Sequence, residues 1–133
     1  MRTKTMRLMV MLTAGLALLG TMVAEAATNV STQVSVNHGG YARQRATGLW
    51  STTLVVTNTG SGTINGPVNV VLTNLSANAT MANSNGTYQG SPYITVSPDP
   101  IAPKASVKVT IQFQNPSNDF ITFTPVTQSG DLQ

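Results

Sequence analysis

One histidine, His38, and three aspartates, Asp99, Asp119 and Asp131, are all the imidazole and carboxylate side chains that follow Ala26 in this 133-residue chain, which has no cysteine. Acid–base catalysis needs such groups to converge on a reacting atom. His38 lies beside Gly39-Gly40 in a predicted loop, and no Gly-x-Ser-x-Gly elbow supplies a nucleophile for it. A zinc centre would need several His or Cys ligands, and a calcium site would need clustered carboxylates. The three aspartates instead stand alone in separate turn-like stretches. The glycine-rich turns lack the lysine and following helix of a phosphate-binding loop. The sequence therefore predicts no catalytic residue, no metal and no cofactor.

Sugar binding is the better chemical competitor, because it needs an aromatic platform flanked by amides and hydroxyls. Tyr41, Tyr88 and Tyr93 lie among many Asn, Gln and Thr residues and are the candidate ligand or partner contacts. Tyr88, in "NGTYQGSPY", is the ring expected to be most exposed. Trp50 alternates with Thr52, Leu54 and Val56, so it is expected in the core instead. Asn-x-Ser/Thr sequons occur at Asn29, Asn74, Asn78 and Asn85, a chance outcome in a chain of this composition.

The N-terminus reads as a targeting signal rather than as fold. Arg2, Lys4 and Arg7 precede an apolar run from Leu8 to Val23, and Ala24-Glu25-Ala26 has the small-x-small pattern of a signal peptidase site. The expected domains are a signal peptide over 1–26 and one folded domain over 27–133. No second apolar run follows, so no membrane contact is expected after cleavage. The formal charge of +3 lies mostly in that leader. Beyond it, Arg43, Arg45, Lys104 and Lys108 nearly balance the three aspartates, and no charge at all occurs between Ala46 and Pro98. No basic patch is available for a nucleic acid. A surface kept soluble by hydroxyls and amides has little electrostatic resistance to packing against its own copies.

The hydrophobic period after the leader is two. Val107, Val109, Ile111 and Phe113 alternate with polar residues over 107–114, Trp50, Leu54 and Val56 alternate over 50–58, and Val68, Val70 and Leu72 anchor 68–73. These are the predicted core. Weaker strands are expected over 30–37, 79–83, 93–96 and 120–127, with Gly, Pro and Asn turns between them. About seven short antiparallel strands and no helix predict an all-β immunoglobulin-like sandwich.

The stretches "GLWSTTLVVTNTGSGTINGPVNVVLTNLS", "NSNGTYQGSPYITV" and "VKVTIQFQNPSNDFITFTPVTQSG" together resemble a bacterial secreted immunoglobulin-like or fibronectin-III-like module, over about residues 46–130. The points of resemblance are Asn58, Gly66-Pro67, Asn74-Leu75, Asn83, Gly86, Pro92-Tyr93, Phe113, Asn115-Pro116 and Pro125. All are turn or core positions, so the resemblance implies a fold and a non-catalytic role and carries over no active site. Here the module stands alone behind its signal peptide.

Three classes remain open. The first is a secreted structural or interaction protein of a cell-surface or extracellular assembly, partnered by itself or by another such protein. The second is a carbohydrate-binding or adhesive module, and the third an accessory periplasmic binding protein. For the first class the segment "ATNVSTQVSVNHGGY" matters most. Val30, Val34 and Val36 share a face, so this piece either forms the first strand of its own sandwich or swings out about Gly39-Gly40 and is exchanged onto a neighbouring copy. Lys104, Lys108 and Pro125 are the available edge guards.

Overall fold

The computed structural model describes residues 26–132; the predicted leader up to Glu25 lies outside them. Ten strands and one 3-10 turn are present among the described residues. They are β1 (Thr28–Asn29), β2 (Val34–His38), β3 (Ala42–Arg43), β4 (Trp50–Asn58), β5 (Val68–Thr73), β6 (Thr80–Met81), β7 (Gly86–Tyr88), β8 (Ser91–Ser97), β9 (Ser106–Gln114) and β10 (Thr124–Ser129). One antiparallel sheet runs β1-β10-β5-β8-β7, and the other runs β2-β4-β9-β6 with β3 also on β4.

The alternation over β4 and β9 sets how the second sheet faces the first. Leu54, Val56, Ile111 and Phe113 turn inward and are fully buried, while Val107 and Val109 are partly buried against the same core. Lys108 and Thr110, between them, are exposed. Across the core, β5 supplies Val68, Val70 and Leu72, all fully buried. Truncating such an aliphatic side chain costs about 2–5 kcal/mol, so these residues carry most of what holds the sheets together.

The strand expected over 30–37 is divided. β1 pairs with β10 in the first sheet, Val30 donates its N–H to the Thr127 carbonyl, and a 3-10 turn over 31–33 then carries the chain into β2, paired with β4 in the second sheet. Within this chain, therefore, Val30 is buried and Val34 and Val36 pack against the protein's own core. Gly39, Gly40 and Tyr41 lie opposite Thr52 and Thr53 only, a bulge between β2 and β3 that re-aims Tyr41. Thr52 stabilises it by donating its hydroxyl proton to the Gly39 carbonyl at 2.9 Å.

Asparagine side chains close the ends of these strands. Asn58, buried completely, donates to the carbonyls of Gly62 and Ile101 and accepts from the Gly60 N–H. Asn83 continues the edge of β9 by bonding the Thr110 carbonyl and the Gln112 N–H, much as a further strand residue would. Asn78 uses its amide nitrogen on Asn115, Asp119 and Phe120, an arrangement a glycan on that nitrogen would break. Within the uncharged stretch, Asn58, Asn78 and Asn83 thus serve as internal scaffolding.

Candidate functional site

One loop between the sheets presents polar groups that the fold does not use. β9 finishes at Gln114, and the chain crosses to the first sheet through the loop 115–123. Buried Asn115 pins that loop, donating to the Asp119 carbonyl at 2.7 Å and accepting from Asn78 at 3.0 Å. Asn78 reaches on to the Phe120 carbonyl at 3.0 Å, and Ile121 is buried beneath. Asn118 adopts a left-handed backbone with φ 58°, which asparagine tolerates better than most residues.

Between this loop and the start of β4 lies a cleft of about 770 Å³. Trp50 and Tyr41 form one wall, and Asn118, Asp119, Phe120 and Thr122 form the other. The Trp50 indole N–H donates to Asn118 Oδ1 at 3.2 Å, which fixes both side chains across the cleft. Phe120 is 94% exposed, the one large hydrophobic so placed among the described residues. Its backbone is held while its ring stands in solvent. A smaller recess of about 320 Å³ lies on the far side of Asn115 and Asn118 and is lined in part by Arg43.

Aromatic packing backs the cleft. Tyr41 meets Phe113 edge-on at 6.0 Å and His38 at 5.3 Å, and His38 meets Phe123 at 5.6 Å. The His38 Nδ1–H donates to the Gly39 carbonyl at 2.8 Å. Tyr41 Oη is enclosed and has no hydrogen-bond partner, and burial raises the phenol above the usual tyrosine pKa. Only the ring of Tyr41, not its hydroxyl, is offered to the cleft.

The three candidate tyrosines are not brought together. Tyr88 lies half-buried on the outer face of the first sheet, beside Val71 and Gln128 in a shallow groove. Tyr93 corrects the expectation of a surface ring: it is 4% exposed, because its ring covers Gly86 so closely that a Cβ there would meet it at 3.1 Å. Trp50 also departs from the expected sandwich core. It opens β4, where the core gives way to the cleft, and is half-buried because its indole N–H needs the partner that Asn118 supplies. Sequence reading missed Asn118 and Phe120, and took Asp119 only as a turn residue. The adjacent Asn-Asp-Phe in a Pro- and Ser-bearing turn was the available signal.

No group of three or more His, Cys, Asp or Glu side chains able to hold a metal occurs among the described residues, nor does a helix long and apolar enough to cross a membrane. No protein-family model, curated protein or solved structure matches the chain.

Proposed function

We propose that this chain is a non-catalytic structural and interaction protein of a secreted, cell-surface or extracellular assembly, built as an immunoglobulin-like sandwich whose copies associate by strand addition. The observation that carries this reading is the free edge of β2. The Gln33 carbonyl bonds the Thr59 N–H, and the Gly39 N–H bonds the Thr53 carbonyl, so odd-numbered residues face β4. By the period of two, the N–H and C=O groups of Val34, Val36 and His38 face away from it. No strand of the described residues takes that side.

The edges of β10 and β9 are guarded. Thr127 directs its N–H and C=O towards Ser31 and Val30, so Pro125, two residues earlier, puts its missing N–H on the same open edge of β10. Beyond short β6, the uncovered edge of β9 carries Lys108. β2 has neither lysine nor proline, and unguarded edges of this kind pair with other chains. Antiparallel pairing of two copies about Val36 sets Val34 opposite His38 and Ser35 opposite Asn37, with no charge in the register. The match is self-complementary, as a twofold contact requires.

Sedimentation velocity over a concentration series tests this. The account predicts reversible association of the wild-type protein, and a monomer when Ser35→Lys and Asn37→Lys are combined, since lysines then oppose lysines across the axis. A wild-type protein that stays monomeric throughout contradicts it. For the compartment, N-terminal sequencing of exported protein is expected to begin at Ala27.

A further inference from the structure

The β2 edge does not use the cleft at the end of β4, and that cleft has a chemistry of its own. Its walls combine flat apolar surface with hydrogen-bonding groups that the fold leaves uncommitted. Asn118 accepts from Trp50 through Oδ1, while its Nδ2 has no partner among the described residues. The Asp119 carbonyl is occupied by Asn78 and Asn115, yet no hydrogen bond engages its carboxylate there. Buried Asn115, by contrast, is committed at both ends of its amide. The loop therefore holds its inner polar groups for itself and presents its outer ones.

Phe120 makes the arrangement unlike an ordinary surface. An exposed phenylalanine on a floppy tip would need no explanation, but here the residue's carbonyl is tied to Asn78 and the next residue is buried. An exposed ring on a pinned backbone, beside free amide and carboxylate groups, is a contact offered at a fixed place. The volume of the cleft, about 770 Å³, falls within the range of small-ligand sites.

We propose that this cleft is a carbohydrate-binding site, in which Phe120 stacks on the apolar face of a sugar ring while Asp119 and Asn118 bond its hydroxyls. The ligand class follows from what the walls can and cannot recognise. No lysine or arginine lines the cleft, and Asp119 repels anions, so phosphates and nucleotides are disfavoured. A wholly apolar ligand would leave Asp119 and Asn118 desolvated without partners. A neutral molecule with one flat apolar face and many hydroxyls satisfies both walls.

Trp50 is the chain's one tryptophan and lines the cleft, so its fluorescence reports directly on occupancy. The purified protein is screened on a printed array of several hundred glycans, and the strongest soluble hit is then titrated against Trp50 emission. The proposal expects at least one glycan to bind and to shift that emission. Phe120→Ala and Asp119→Ala should each weaken it about ten-fold, the scale of one lost ring contact or charge-assisted hydrogen bond. Thr110→Ser, on the outer face of β9 and outside the cleft, should bind as the wild type does. Thermal midpoints of the variants confirm that each is folded, since both truncated side chains are exposed. An array without a hit overturns the proposal. So does a hit whose affinity survives both Phe120→Ala and Asp119→Ala, or a cleft that takes a hydrophobic dye that no glycan displaces. None of these readouts depends on self-association, so this site and the β2 contact stand or fall separately.

Discussion

The turn after β4 and the loop after β9 are both short, polar and asparagine-bearing, yet they treat their polar groups in opposite ways. In the first, Asn58 is fully buried and ties three backbone groups together, and the turn carries little besides structure. In the second, Asn115 performs the same internal duty, while Asn118, Asp119 and Phe120 turn side chains outward. Residue type does not separate scaffold from site here. Hydrogen-bond accounting does, because an unpartnered buried polar group costs the fold free energy, whereas a partnerless exposed group costs it nothing.

Substitutions separate the two regions. The largest effect belongs to the core beneath both regions: Ile111→Ala should lower the unfolding free energy by about 2–5 kcal/mol, whereas Thr110→Ala, one residue away on the outer face, should cost well under about 1 kcal/mol. Urea denaturation reads both, and comparable losses would mean that β9 faces the other way. Next comes the asparagine pair. Asn58→Ala leaves the Gly62 carbonyl and the Gly60 N–H unpartnered and takes a buried bond from the Ile101 carbonyl, which keeps the Ile64 N–H, so a loss of about 2–3 kcal/mol is expected, against about 1 kcal/mol or less for Asn118→Ala. Equal losses would erase the distinction between the two loops.

The smallest effect sharpens it. Tyr41→Phe removes an enclosed, unpartnered hydroxyl and should leave stability unchanged or raise it by up to about 1 kcal/mol. Because burial raises the phenol's pKa in the folded state, the folded protein holds its proton longer than the unfolded chain. Tyr41 thus contributes a loss of stability as pH rises above the unfolded value of about 10. Thermal scans across alkaline pH should show a shallower decline for Tyr41→Phe than for the wild type. An identical decline would place the hydroxyl in contact with solvent.

Sequence legibility followed the strength of local pattern. β4 and β5 match their expected bounds, because the near-alternation of one and the Val- and Leu-rich run of the other, broken only by Asn69, leave no competing helical period. The remaining five expected strands have counterparts with shifted ends, whereas β1, β3 and β7 are too short to carry a period at all. The N-terminal valines share one face in the sequence, as a single strand would place them, but the 3-10 turn that divides them between two sheets depends on distant Thr127. Periodicity gave Trp50 its face, not its place at the end of a strand, where a core face becomes a cleft wall. The loop 115–123 was least legible, since what makes it rigid is Asn78, far away in the chain.

In the proposed assembly the outward main-chain groups of β2 pair with those of a second copy. Hydrogen exchange of the amides of Val34, Val36 and His38, followed by NMR at low and high protein concentration, tests it at those atoms. The account predicts fast exchange at low concentration and clear protection of these three amides at high concentration, with Ser35 and Asn37, already bonded to β4, protected at both. Exchange at Val34, Val36 and His38 that stays fast at every concentration would contradict it.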